Sequence, residues 1–321
     1  MSNTTVPPTA ITPDKSNMTR KRRLMKTVYR QRWYYVMLLP GVLYFIIYHY
    51  LPMGGAMIAF KDYNLMKGIW GSPWAGFKHF ETIFSTPEIS RTIKNTLILS
   101  VYRIVFGMFP DVIFAIILNE IRVQWFKRTV QTISYGPHFL SWVIVYALAF
   151  AFMAPGSGLI NNWITQGGGQ AIDFLTAKEY FRTILISTDL WKSTGYGAII
   201  YLASLSAIDP HLYEASVVDG ASRWRQIWHI TLPGIRNVFI VLLIIRIGHI
   251  MDAGFEQVYI FLNARVYETG DIIDTWVFRR GLENLEFSLA TAVGLFKGAI
   301  GLILVIGANK LAKRVSGSGI W

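Results

Sequence analysis

Charged residues set inside apolar runs are where this chain can do chemistry. Arg103, Asp111, Asp189, Lys192, Arg246 and Lys297 each lie within or beside a long apolar segment. A charge at the centre of a bilayer costs about 2.5–3.5 kcal/mol on insertion scales, so such side chains face a bundle interior, a watery path or one another. Asp189 and Lys192, spaced i, i+3, suit an internal ion pair. The cations outnumber the carboxylates four to two, an excess that favours an anionic solute. Asp111 and Asp189 are also the groups that a proton relay would use. Trp191 and Tyr196, with Tyr102 and Tyr201, give flat apolar faces in the same segments. Packing is the commoner use of such rings, and stacking on a ring-shaped solute is the other.

Several chemistries are excluded. Cysteine is absent, which removes disulfides, thiolate metal sites and cysteine nucleophiles. No G-x-x-x-x-G-K-[ST] run occurs, nor any Gly-Lys pair, so the chain has no phosphate-binding loop of the usual kind. His49, His79, His138, His211, His229 and His249 are scattered without ligand spacing, and H-E-x-x-H is missing. No nucleophile and base stand together as a membrane-embedded enzyme would need. Neither metal nor cofactor is expected in this chain.

The positioning elements follow from composition. Apolar residues make up 53% of the chain and charged ones only 16%, with a mean hydropathy of +0.37, which indicates an all-α integral membrane protein. Six spans are expected at 34–50, with the apolar run continuing to 58, and at 96–118, 137–153, 183–207, 235–250 and 289–306. Pro52, Gly54 and Gly55 mark the exit of the first, and Pro110 is expected to kink or distort the second. Residues 1–32 are polar and then basic, too poor in apolar surface to fold alone, and are expected to be a disordered tail. Residues 33–315 form the membrane domain and 316–321 a short C-terminal tail. The segment 60–94 reads as a structured connection, and Gly167, Gly168 and Gly169 as a flexible point in another.

The net charge of +12 sits in the tails and short loops, where membrane orientation explains it better than nucleic acid does. Seventeen Lys and Arg fall on the side of the termini and ten on the other. The positive-inside rule therefore places both termini, and the polar segment 207–235, in the cytoplasm.

That segment carries the most specific pattern. Glu214-Ala215-Ser216, three residues, Gly220, nine residues and Ile230-Thr231-Leu232-Pro233 resemble the E-A-A-x3-G-x9-I-x-L-P signature of ABC-importer permeases, with Ser216 replacing the second alanine. By spacing alone, Val217, Val218 and Ala221 share a helix face with Glu214, and Gly220 leaves room for another backbone. Pro233 disfavours helix at Leu232 and is expected to end a loop there.

The stretches LPMGGAMIAFKDYN, SPWAGFKHFETIF and VYETGDIIDTWVFRRGL, and the ending Gly319-Ile320-Trp321, are similar to the binding-protein-dependent sugar permeases of the oligosaccharide and aldouronate type. The resemblance implies a type I importer fold with six transmembrane helices and a cytoplasmic coupling helix, in a bacterial cytoplasmic membrane. It implies import of oligosaccharides by alternating access, and the positive excess suits uronate-containing ones. It further implies a second homologous permease, two cytoplasmic ATPases that bind ATP and Mg, and an extracytoplasmic solute-binding protein. Glu214, Ala215, Ser216, Asp219, Gly220, Leu232 and Pro233 would couple to the ATPase. Arg103, Asp111, Trp191, Lys192, Tyr196, Arg246 and Lys297 are the candidates for the substrate path. The rival readings are an importer permease for another small solute and an ion-coupled secondary transporter.

Overall fold

The computed structural model describes residues 28–316, so the expected tails at 1–27 and 317–321 lie outside the described residues. Helix dominates, and two long proline-bearing helices show how the sequence manages it. Helix α1 (Arg32–Phe60) passes through a π turn at Ile46–Tyr50 immediately before Leu51 and Pro52. A proline ring collides with the carbonyl four residues back and brings no N–H. Widening the preceding turn, so that Leu51 N–H bonds Ile46 O five residues back, relieves the clash without breaking the helix. The α-helix therefore runs past Pro52 to Met53, and Gly54 opens a 3-10 stretch that ends at Phe60. None of the residues in its most apolar window is buried.

The connection expected at 60–94 is shorter, 61–86, because the next long helix already begins at Pro87: Lys61 bridges Trp74, and a short helix, α2 (Lys78–Ser85), follows. Helix α3 (Pro87–Glu120) starts with proline where a missing N–H costs nothing. Its 34 residues span about 51 Å at 1.5 Å each, well beyond the roughly 30 Å of a bilayer's hydrocarbon. It runs on through Pro110 as one helix.

The third expected span is rearranged. Helix α4 (Gln124–Tyr135) leads through a single 3-10 turn into α5 (Trp142–Met153), and the pair is bent by 103°. Pro137 lies in the turn, not in the span. Ser141 caps α5 by accepting from Ile144 N–H at 3.4 Å. A short helix, α6 (Leu159–Gln166), precedes the three glycines.

Helix α7 (Lys178–Ser206) packs along α3. After the short α8 (Pro210–Val218), α9 (Arg223–Gly248) repeats the device of α1. A π turn at Ile227–Thr231, with Leu232 N–H on Ile227 O, accommodates Pro233. Leu232 is accordingly helical, with φ −63° and ψ −44°, and Pro233 lies inside a helix where a loop was expected. The connection beyond holds α10 (Phe255–Phe261) and α11 (Ile273–Phe278) before α12 (Phe287–Ser316), which packs on α9.

Among the described residues, four helices are long and apolar enough to cross a membrane, or five if the bent pair counts as one: α1, α3, α9 and α12, with α4–α5 as the bent pair. Helix α7 has ample length at 29 residues, but Lys178, Glu179, Arg182, Asp189 and Lys192 dilute its apolar character. Buried apolar clusters tie α3, α5, α7, α9 and α10 together. Val112, Ala115, Ala198, Tyr201 and Ile235 join α3, α7 and α9. Leu99, Val145, Ile184, Leu185 and Phe261 join α3, α5, α7 and α10.

Candidate functional site: a polar cavity in the bundle and an exposed signature helix

Helices α3, α7 and α9 bring their charges to one cavity of about 230 Å³, lined among others by Ser100, Arg103, Asp111, Asp189, Arg246 and Asp252. Asp111 and Arg246 meet at 2.7 Å. Two glycines make room for the pair, because a side chain on Gly107 would strike the Arg246 guanidinium and one on Gly197 the Asp111 carboxylate. Asp111 is 4% exposed; such a carboxylate is tolerated in the bundle only with its partner.

Arg103 is held differently. Its Nη2 donates to Gln257 Oε1, and its Nη1 stands 3.6 Å from Asp189. Gln257 is fixed in turn, since its Nε2 donates to Leu185 O and to Thr188 Oγ1, each at 2.8 Å. Asp189 has one further contact, the Ser193 hydroxyl at 3.5 Å.

The i, i+3 pairing of Asp189 with Lys192 does not form. Asp189 turns to α3, while Lys192 Nζ donates to His138 O at 2.6 Å and lies over the Trp142 ring. The free carbonyl where the chain bends between α4 and α5 competes for the ammonium. Tyr196 stacks flat on His138 at 3.8 Å. Trp191 lines a separate apolar cleft with Leu148 and Phe152. Lys192, Tyr196 and Trp191 are thus outside the polar cavity.

Lys297 is also away from it, in a neighbouring cavity between α9 and α12. Its Nζ is 2.5 Å from both Asp252 Oδ1 and Asp274 Oδ1. These two carboxylates overturn the expected positive excess, because they lie in the connection after α9, beyond any apolar run. Burial pushes the Asp252 carboxyl up, but hydrogen bonds from Lys297 and His249 outweigh it and hold the group below its ordinary value.

Around the signature, α8 is capped by Asp209, whose Oδ1 accepts from His211 N–H at 3.0 Å. Glu214, Val217 and Val218 are exposed. The helix ends in a Schellman closure, with Ala221 N–H on Ser216 O at 2.8 Å and Gly220 N–H on Val217 O at 3.0 Å. Gly220 sits at φ +72°, the left-handed conformation that glycine adopts without steric cost. Its role is therefore to stop the helix. Ala221 falls past that stop and does not extend the face of Glu214.

Ser216, the departure from the signature, accepts from Gln226 Nε2 at 2.9 Å and donates to Tyr213 O at 2.7 Å. Tyr213 and Thr231 hydroxyls meet at 3.0 Å. Gln226 and Thr231 are buried, so this network fastens α8 to the foot of α9, where Leu232 and Pro233 lie. Ser216 and Asp219 border an adjacent cavity with Arg225 and His229. Spacing alone gave no sign of this network.

Among the described residues no three His, Asp or Glu are placed to hold a metal. Long apolar helices that enclose buried ion pairs, with the short α8 exposed ahead of α9, are the features of a chain embedded in a membrane. The chain belongs to the binding-protein-dependent transport system inner membrane component family, whose sequence profile matches residues 111–317. It is 47% identical, over 94% of either chain, to the polygalacturonan/rhamnogalacturonan transport system permease protein YteP of Bacillus subtilis strain 168. It is 44% identical to protein LplB of the same organism, over 92% of this chain and 93% of that one. A crystal structure of a bacterial alginate ABC transporter, in complex with an alginate pentasaccharide-bound periplasmic protein, superposes with a TM-score of 0.86. That likeness has 41% identity and covers 93% of this chain and 100% of the other.

Proposed function

We propose that this chain is the transmembrane subunit of an ATP-driven importer for oligosaccharides, acidic ones included, working in a bacterial cytoplasmic membrane by alternating access. The observation that carries the reading is the exposed α8, stopped by Gly220 and bolted through Ser216 to a spanning helix. It rests beside near full-length likeness to permeases of acidic-polysaccharide systems.

Residues 33–315 are the permease domain, with both termini and the coupling segment 207–235 cytoplasmic. The exposed Glu214, Val217 and Val218 offer α8 to a partner ATPase, which supplies the ATP and Mg chemistry that this chain has no loop for. A ligand shifts a two-state equilibrium only through unequal contacts with the two states. ATP therefore acts through the contacts of α8, and the Ser216–Gln226–Tyr213–Thr231 network passes the change to α9. A second homologous permease and a solute-binding protein complete the assembly. Arg103, Asp111 and Arg246 border the path; Trp191, Lys192, Tyr196 and Lys297 lie around it.

Gentle extraction of the tagged chain from its native membrane, followed by mass spectrometry of what co-purifies, tests this assembly. A P-loop ATPase and a second multi-span permease are expected. A stable chain recovered with no ATPase would count for a self-contained transporter, and would turn attention to Asp111 and Asp189 as proton sites.

A further inference from the structure

The polar cavity between α3 and α7 holds two buried donors without acceptors. Ser100 Oγ and Arg103 Nε are both buried and have no hydrogen-bond partner among the described residues. They stand one turn apart on α3 and line the same space. A buried donor left unpaired is costly, so two on one wall mark a place where acceptors are missing. On the opposite wall Asp189 has, among the described residues, its 3.6 Å approach to Arg103 and the 3.5 Å contact with Ser193, which leaves acceptor capacity free. Residues 100 and 103 fall near the middle of α3, the depth at which transporter substrates bind.

Donors facing an acceptor across a small cavity suit a group that both accepts and donates. A hydroxyl does both, whereas a carboxylate only accepts. A carboxylate would also meet Asp111, Asp189 and Asp252 in a space whose two arginines already have acidic partners. At about 230 Å³ the cavity falls below the roughly 300–1,000 Å³ of pockets for drug-sized ligands, which limits its occupant to about one ring.

We propose that this cavity is a subsite for one sugar ring, held through its hydroxyls by Ser100, Arg103 and Asp189, and that it does not select for a carboxylate. The inference rests on the oligosaccharide reading above. It places any preference for acidic sugars outside this cavity.

The test uses the complete importer, with its ATPases and binding protein, in proteoliposomes supplied with a galacturonate oligosaccharide or with its carboxyl-reduced, neutral counterpart. Arg103→Gln is expected to lower uptake of both by the same factor, about tenfold or more for a hydrogen bond from a charged donor. Ser100→Ala is expected to lower both by a smaller common factor. ATP hydrolysis stimulated by the loaded binding protein persists in both variants, as it would not if either side chain merely held the fold. Loss confined to the acidic sugar would make the cavity a carboxylate site, and unchanged uptake would remove it from the path. Joint loss of uptake and stimulated hydrolysis in both variants would also overturn the proposal. If the unaltered importer moved neither sugar, the oligosaccharide reading itself would fail.

Discussion

Asp111 and Arg246 illustrate how a charge is made tolerable inside a bundle. The carboxylate is nearly sealed, the guanidinium keeps 36% exposure, and Gly107 and Gly197 are small so that both can lie between helices. Arg246→Ala would leave Asp111 buried and alone. Breaking a buried pair costs about 3–5 kcal/mol, and the low end applies here because Arg246 is partly solvated. A lower thermal midpoint of the detergent-solubilised chain is expected, with partial recovery in Asp111→Ala/Arg246→Ala. A loss in the double variant equal to the sum of the Asp111→Ala and Arg246→Ala losses would show that the pair carries no coupling. Asp252 has a different signature. Its carboxyl is held below the ordinary value of 3.8, so its contribution to stability is complete above that pH and is lost as the pH falls through the depressed value. Asp252→Asn is expected to flatten the acid limb of a midpoint-against-pH curve, and an unaltered limb would contradict the assignment. These partnerships were the least legible part of the sequence. The charges inside apolar runs stood out, but Asp252 and Asp274, which neutralise Lys297, sit in the mixed connection 251–288 and carry no periodic signal.

At the scale of elements, α8 matters because it is both exposed and fastened. Gly220→Leu forces a branched side chain into the left-handed region, at about 1–2 kcal/mol, and disturbs the closure that ends α8. Loss of ATP-driven uptake with normal membrane insertion is expected, and Gly220→Asn should be milder because asparagine tolerates that conformation. Normal uptake by Gly220→Leu would contradict the role given to the helix end. Ser216→Ala restores the residue usual in the signature yet strips the acceptor from buried Gln226, at about 1–3 kcal/mol. Fewer sugars moved per ATP hydrolysed are expected, whereas an unchanged ratio would show that the network does not transmit. The signature's spacing was enough to locate α8, because its residues are contiguous. It misplaced Leu232 and Pro233, because a π turn, which no residue type announces, lets the helix begin before the proline.

At the scale of the whole molecule, apolar composition and the placement of charges foretold a helical membrane protein, and the long helices lie close to where the hydropathy placed them. The bend between α4 and α5 was hidden within a continuous charge-free interval, since hydropathy measures affinity for lipid and not direction. The central claim is that transport through this bundle is driven by ATP hydrolysed on another chain. It is tested most directly by loading proteoliposomes that contain the assembled importer with ATP and Mg, and measuring uptake of a labelled acidic oligosaccharide delivered by the binding protein, with and without a protonophore. Uptake that requires ATP and ignores the protonophore is the expected result. Uptake that continues without ATP and collapses with the proton gradient would contradict it.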